Sequence, residues 1–501
     1  MDNFAKTRLL LCAGFLILPP TLLSQAPGSG AVATPAGTQT GGPPSLGNQA
    51  PSGPATVANS QSYQASVPQG TASPTPIPLT LGEAIDRGLK ANLALLTNEQ
   101  ASRETRADRY RALSGLLPNI NGQLNVTAQQ INLQALGFLF SLPGVALPHI
   151  IGPYSYQDAQ ANATIPIFDY SAINRFRGSR EEVKASLLSI KNARDLVVQA
   201  VGNAYLQIIA DAARVSATEA EVEADNAVYT NAVRRHEAGV AIRIDVLRAE
   251  VELKQRQQVL VADKNQFEKD KLTLGRIIGL PIGQDFTVAD PTPSVPLEAI
   301  SLQDALAKAY ANRPDFQQAK ARVLAAQFSL RSAKAERYPT LTASGFYGDE
   351  GLRLLTDSHG VFQATGSLQF NIFDGGRIKA DILENDAELR NRRNELENLR
   401  GQIDYDVRTA LLDLKSASDQ VDVARTNIDL ANLTLTQARD RFAAGVTNTV
   451  EVVQAQQSVA DANENLISAQ YQLNVAKVSL ARSLGLAEEG MRSYFKNNPG
   501  H

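Results

Sequence analysis

The sequence predicts a mainly α-helical chain with transmembrane β-strands, built as two copies of a long-helix coiled-coil unit with one β-hairpin in each. Three observations predict it. The chain is written twice; its apolar positions keep a sustained four-three rhythm over about forty residues; and in each copy that rhythm gives way, at one matching place, to strict alternation.

The repeat organises everything else. The stretch "LTLGEAIDRGLKANLAL" from Leu79 corresponds to "ISLQDALAKAYANRPDF" from Ile300, pairing Leu81 with Leu302, Ala84 with Ala305 and Ile85 with Leu306. The same offset aligns Pro118 with Pro339. Further on, "IPIFDY" matches "FNIFDG", "RHEAGV" matches "RFAAGV" and "IIGLP" matches "SLGLA", at an offset smaller by about sixteen residues. The first copy therefore carries a longer segment between Pro118 and Phe168. The expected organisation is a signal peptide over 1–25, a flexible low-complexity leader over 26–78, a first repeat over 79–290, a second over 291–486 and a C-terminal tail over 487–501.

The strands are expected at about 119–168 and 340–373. "NGQLNVTAQ" alternates Leu124, Val126 and Ala128 with Gln123, Asn125 and Thr127, and "VFQATGSLQF" sets Phe362, Ala364, Gly366, Leu368 and Phe370 against Gln363, Thr365, Ser367 and Gln369. The helices are expected nearly everywhere else. From Ile403 the apolar positions run through Val407, Ala410, Leu414, Ala417, Val421, Ala424, Ile428, Ala431, Leu435 and Ala438 to Phe442, a coiled-coil seam of large residues alternating with alanine. The matching first-copy helix, over 171–236, would be about 100 Å long at about 1.5 Å per residue, and its seam carries Asp211 and Asp225.

Composition sets limits. With 43% hydrophobic and 20% charged residues and a formal charge of -3, the chain suggests neither wholesale disorder nor a nucleic-acid partner. Lys6 and Arg8 precede the apolar run "LLLCAGFLIL", the layout of a secretory signal, and this run holds Cys12, the single cysteine. Gly, Pro, Ala, Ser, Thr and Gln dominate the leader, which cannot bury enough surface to offset its ordering. No later segment approaches eighteen consecutive apolar residues, so any membrane crossing falls to strands. Four strands cannot close a barrel, whereas three chains would supply twelve, which makes a homotrimer the economical solution.

The signal, the duplication, "LTLGEAI", the strand-to-helix "IFDGGR" and the "R-x-x-x-G-x-x-x-x-x-[DE]-V" pattern in both copies together resemble the TolC-like outer-membrane efflux protein family, over about residues 79–486. The resemblance implies a trimeric duct with a 12-stranded barrel in the outer membrane and an α-helical periplasmic tunnel. It would be the exit duct of a tripartite efflux or type I secretion system, docked on a periplasmic adaptor (membrane fusion) protein and an inner-membrane pump or ABC transporter. No catalysis and no cofactor are implied. A secreted or periplasmic trimeric coiled-coil adhesin or scaffold without a pore is the alternative, although it would not call for hairpins at matching places in both halves.

Site residues follow from the repeat and the resemblance. Gly239 and Gly445 let the chain reverse between antiparallel helices. The resemblance makes Ala238, Gly239, Val240, Ala444, Gly445 and Val446 the adaptor-docking turns. It also places Glu451 at the narrow inner end, where three copies would form a cation-attracting ring; a helix N-terminal carboxylate favoured by the macrodipole is the other reading. Gln454 stands where some family members carry a second acidic residue, and Asp245 and Arg248 are the first-copy equivalents at the constriction. Phe168, Asp169, Phe373, Asp374 and Gly375 mark the hinges from strand to helix. With four histidines and no glycine-rich phosphate loop, the sequence offers no enzyme motif.

Overall fold

A computed structural model describes residues 63–135, 137, 148–289, 300–353, 356–444, 446–447 and 449–496. The expected signal peptide and most of the expected leader lie outside the described residues. The elements run in order β1 (Ile77–Leu79), α1 (Leu81–Ala91), α2 (Leu93–Ser114), β2 (Asn119–Asn132), β3 (Ile150–Phe168), α3 (Tyr170–Glu237), α4 (Arg243–Ile277), β4 (Phe286–Val288), α5 (Leu302–Asn312), α6 (Pro314–Ala335), β5 (Thr340–Arg353), β6 (Asp357–Gln369), α7 (Arg377–Ala443), α8 (Thr449–Ser483) and α9 (Ala487–Lys496). The duplication survives to the residue: α1 and α5 each have 11 residues, α2 and α6 each 22, α4 and α8 each 35.

Local chemistry starts the helices at matching places. Thr80 caps α1 by accepting from the Glu83 amide, while Glu83 accepts from the Thr80 amide, a reciprocal capping box. Ser301 caps α5 by accepting from the Asp304 amide, and its hydroxyl donates to the Asp304 carboxylate at 2.7 Å. Both helices turn their apolar face inward, Ala84 and Ile85 in the first copy and Ala305 and Ala309 in the second.

The long helices α3 and α7, of 68 and 67 residues, are the axes of the fold. α3 packs against α2, α4, α6 and α8, and α7 against α5, α6 and α8. The seam read from the sequence is the buried face of α7: Ile403, Val407, Ala410, Ala417, Val421, Ala424, Ala431 and Ala438 are all buried. The α3–α4 contact is more polar. Arg256 lies 3.2 Å from Glu221, 3.7 Å from Asp225 and 3.6 Å from Glu252, and Thr218 donates to Asp263 at 2.8 Å. Burial, with Asp270 opposite, raises the Asp211 carboxyl well above the usual carboxylate range. α3 also contains a stretch long and apolar enough to cross a bilayer, but 56% of it is buried within the protein.

Two boundaries differ from the sequence expectation. The leader was expected to run to residue 78, yet from residue 63 onward the chain is packed: the Val67 amide donates to Ala91 O, Gln69 to Gly279 O, and β1 pairs in parallel with β4. The few apolar residues of that segment, Tyr63 and Ile77, anchor it on the core around Val197, Val201, Tyr205 and Leu274. The expected tail likewise begins as α9, whose Ala487 and Met491 are buried in the same core and whose Glu488 pairs with Arg194 at 2.9 Å. Low-complexity composition hid the first, and the brevity of α9 the second.

β2, β3, β5 and β6 form one antiparallel sheet in that order. The two hairpins join along β3 and β5, from Gln157↔Gly351 to Phe168↔Leu341, leaving β2 and β6 as edges. Directly opposed residues share a face. One face gathers Ile120, Leu124, Val126, Ile165, Tyr347, Phe362 and Leu368, all exposed; the other carries Asn121, Gln123, Asn162, Ser344, Thr365 and Ser367.

A buried polar knot ties the two repeats together. Arg313, at the head of α6, donates to Asp315 at 2.7 Å and to Asp406 of α7 at 2.9 Å. Arg482 of α8 reaches Asn192 at 2.6 Å and stands 4.0 Å from Asp315, and Asp195 is buried beside it. Removing Arg313 strands two carboxylates, so Arg313→Met is expected to cost about 3 kcal/mol, read as a lower denaturant midpoint in detergent. Burial pushes Asp195 up from 3.8 to about 6, against the pull of Arg482. The folded value exceeds the unfolded one, so this group's stabilising share is complete below about pH 4 and is lost as pH rises through about 6. Asp195→Asn should therefore match the parent near pH 4 and exceed it by roughly 1–3 kcal/mol at pH 7.5, measured by unfolding at both pH values.

Candidate functional site

The first turn is built by its hydrogen bonds. At the end of α3 the Val240 amide donates to Arg235 O and the Gly239 amide to His236 O, both at 2.9 Å, the paired pattern that closes a helix on a left-handed residue. Gly239 takes that conformation, with φ 73°, at no side-chain cost. Ala238 is the C-cap, Val240 projects into solvent, and the His236 ring Nδ1 lies 2.8 Å from Ala241 O.

The second turn repeats the geometry. Ala444 caps α7 and the Val446 amide donates to Arg441 O at 2.9 Å, the counterpart of the Arg235 contact. Val446 is exposed, like Val240; Gly445 lies outside the described residues. Glu451, in the first turn of α8, is tied back to this turn: its carboxylate stands 3.4 Å from Arg441 and accepts a hydrogen bond from Thr447. Gln454, one turn on, is exposed.

The two turns adjoin. The Arg235 guanidinium sits over the Phe442 ring, 4.5 Å from its centroid, linking the ends of α3 and α7. Between them opens a cleft of about 840 Å³ lined by Arg235, Val240, Asp245, Phe442, Thr447 and Val452, among others. Asp245 stands in the first turn of α4, where the helix dipole favours it, with Arg248 3.9 Å away on the same helix. The Asp245–Arg248 pair is thus intrahelical. Sequence reasoning missed Thr447 and the Phe442 platform; the only signal was Thr447 standing one helical turn before Glu451 in "TNTVE".

The hinge residues lie at the opposite ends of the long helices, about 100 Å away at about 1.5 Å per residue. Phe168 ends β3, and Asp169 caps α3 by accepting from the Ala172 amide at 2.9 Å. Beyond β6, Phe373 is exposed, Gly375 has φ 65°, and Asp374 accepts from the amides of Ile378 at 2.9 Å and Gly376 at 3.0 Å. Those amides hold the Asp374 carboxyl below the usual range. Among the described residues no group of three or more His, Cys, Asp or Glu side chains is placed to hold a metal ion.

This arrangement has relatives. The outer membrane efflux protein family matches residues 84–280 and 305–486, one segment in each repeat. The pyoverdine export outer membrane protein OpmQ of Pseudomonas aeruginosa is 26% identical over 323 residues, 62% of this chain and 65% of OpmQ, so the chain spans just under two-thirds of that relative. The toluene efflux pump outer membrane protein TtgF of Pseudomonas putida is 23% identical over 415 residues, 78% of this chain and 81% of TtgF. The crystal structure of the outer membrane protein VceC from Vibrio cholerae superposes with a TM-score of 0.69 at 16% identity, over 81% of this chain and 96% of VceC, which shows the shared fold. With both repeats matched and that fold in common, the chain belongs to the outer membrane efflux protein family, located in the outer membrane and reaching into the periplasm.

Proposed function

We propose that the chain is the exit duct of a tripartite efflux system, working as a homotrimer with a periplasmic adaptor and an inner-membrane pump. The observation that carries this reading is the four-stranded sheet with one apolar face and two unpaired edges. In hydrocarbon an open edge leaves backbone groups unsatisfied at several kcal/mol each, so β2 and β6 need partners that no described element of this chain supplies. Three sheets joined edge to edge give twelve strands, with Leu124, Val126, Tyr347 and Phe362 toward lipid and the Asn, Gln, Ser and Thr face toward the passage. The long helices continue from the barrel as the tunnel wall. The names of OpmQ and TtgF, for pyoverdine export and toluene efflux, favour small-molecule cargo.

On this reading the turns at Ala238–Val240 and Ala444–Val446 form the inner end and meet the adaptor, with Val240 and Val446 as their exposed apolar contacts. Glu451 forms a ring around the axis, each carboxylate held in place by Thr447 and its charge offset by Arg441. Asp245 with Arg248, and Gln454, border that constriction, and the Phe168–Asp169 and Phe373–Gly375 segments turn strand into helix at the other end. The driving energy comes from the inner-membrane partner.

Liposome insertion with single-channel recording tests the duct: a stable conducting trimer is expected, and a soluble, non-conducting species would defeat it. The ring has its own test. Glu451→Gln should weaken block by divalent cations roughly tenfold, the effect of about 1.4 kcal/mol, whereas Arg441→Ala, which unmasks the carboxylate, should strengthen it. Unchanged block in both variants would remove Glu451 from the constriction.

A further inference from the structure

Close to the sheet, the charges of the helices separate onto two faces. One face opens as a cleft of about 640 Å³ between α2, α3, α6 and α7, lined by Asp108, Arg111, Arg175, Glu182, Glu336 and Asp381, among others. Acid and base are mixed there, and Arg377 pairs with both Glu336 and Asp381 at 2.8 Å. The opposite face is basic. Residues two positions apart on a helix point about 200° apart, so Arg106 of α2 stands opposite Asp108, and Lys334 of α6 opposite Glu336. On α3, Arg177 and Arg180 stand opposite Arg175 and Glu182 in the same way, and all four of these basic residues are exposed.

The basic face is the one that carries the added layer of the fold. Seven-residue steps keep to one face of a supercoiled helix. From Tyr205, which donates to Leu79 O at the end of β1, they lead along α3 through Val198, Lys191 and Lys184 to Arg177. From Val201, which packs on Gly88 of α1, they lead through Arg194, paired with Glu488 of α9, and Leu187 to Arg180. On the duct reading α1, β1 and α9 lie outside the passage, so Arg177 and Arg180 face outward and the cleft faces inward.

Each basic track reaches a tyrosine at the sheet. Tyr170 stands seven residues before Arg177, Tyr110 seven after Arg103, and Tyr338 seven after Arg331. The three rings are exposed, and Tyr338 meets Tyr170 edge-on with centroids 6.0 Å apart. Leu117 and Phe168, also exposed, continue this collar toward the apolar face of the sheet. Tyrosines bordering an apolar band mark the boundary between hydrocarbon and water. Arg106 and Lys334 lie four residues beyond their tyrosines, about 6 Å along the helix, and Arg177 about 10 Å. Their long side chains can extend from there toward the headgroups while the stems stay on the protein.

We propose that this outward face binds the headgroups of anionic phospholipids in the leaflet facing the periplasm, with Arg106, Arg177, Arg180 and Lys334 as the phosphate partners below the tyrosine collar. The proposal rests on the duct reading, which puts the sheet in the bilayer, and adds which lipid surrounds it. Guanidinium groups suit the task because they offer paired donors to phosphate oxygens.

The test titrates the full chain in detergent with phosphatidylglycerol or phosphatidylethanolamine and counts bound lipid by native mass spectrometry. A basic residue at an anionic surface is worth roughly fivefold in binding, so phosphatidylglycerol should bind the parent at least about tenfold more tightly. The variant combining Arg106→Gln, Arg177→Gln, Arg180→Gln and Lys334→Gln should lose most of that preference, whereas Arg111→Gln with Arg175→Gln, in the cleft, should keep it. Equal binding of the two lipids by the parent, or equal loss in the two variants, overturns the lipid surface. Single-channel recording of the parent in vesicles of each lipid separates the failures. A conducting channel without lipid preference overturns the lipid surface and leaves the duct standing; a chain that inserts into neither vesicle overturns the duct and the lipid surface with it.

Discussion

An unpaired strand edge has no water to turn to inside a bilayer. That constraint governs the reading of this molecule, because its sheet is apolar on one face, polar on the other and open at both ends. Pairing β3 with β5 inside the chain uses up two of the four hairpin edges and leaves the other two, β2 and β6, on opposite flanks. The duplication makes this possible: each half supplies one hairpin and one helical pair, and a single internal junction joins them. On the proposed reading, polar groups that the sheet cannot satisfy alone make assembly a condition of membrane residence.

The two helical pairs are copies in length but not in chemistry. α7 packs on α8 through a seam of large apolar residues and alanine, which draws helices close and needs no hydrogen bonds to be complete. α3 meets α4 through Asp211, Thr218, Glu221, Asp225, Arg256 and Asp263, where each charge depends on its neighbours. Breaking one such buried contact costs more than making it contributes, so polar seams penalise slippage where apolar ones tolerate it. The first pair is in this sense the more strictly registered of the two, and Arg256, touching Glu221 and Glu252 and donating to Gln457 of α8, carries that register across to the second repeat.

Much of this was legible in the sequence. The repeat, the long helices and the hairpins rest on periodicity, and periodicity is a property of neighbours a few residues apart. The α7 seam was read residue by residue; eight of its twelve positions are buried, and Leu414, Ile428, Leu435 and Phe442 are half-buried. The turn at Gly239 was legible too, because glycine at a helix end has a local cause. What escaped was long-range. The Arg313–Asp406 contact joins residues 93 apart, and Arg194–Glu488 joins residues 294 apart; no pattern in either neighbourhood announces them. At the candidate constriction, Glu451 was visible as a charge among valines, but its tie to Arg441 and Thr447 depends on how tightly the turn closes. The packing of residues 63–78 was hidden because it rests in part on backbone hydrogen bonds, which any residue can make.

The unbroken four-three seam of α7 has a consequence for how such a chain can change length. One inserted residue would rotate everything beyond it by about 100° and turn the buried face to solvent, whereas seven restore the face and add about 10 Å. An insertion in α7 must also be matched in α8, and if the turns are to stay level, in α3 and α4 as well. The reach of this protein is therefore quantised, and descendants fitted to a wider or narrower gap between two membranes would differ from it by whole heptads, gained or lost four at a time.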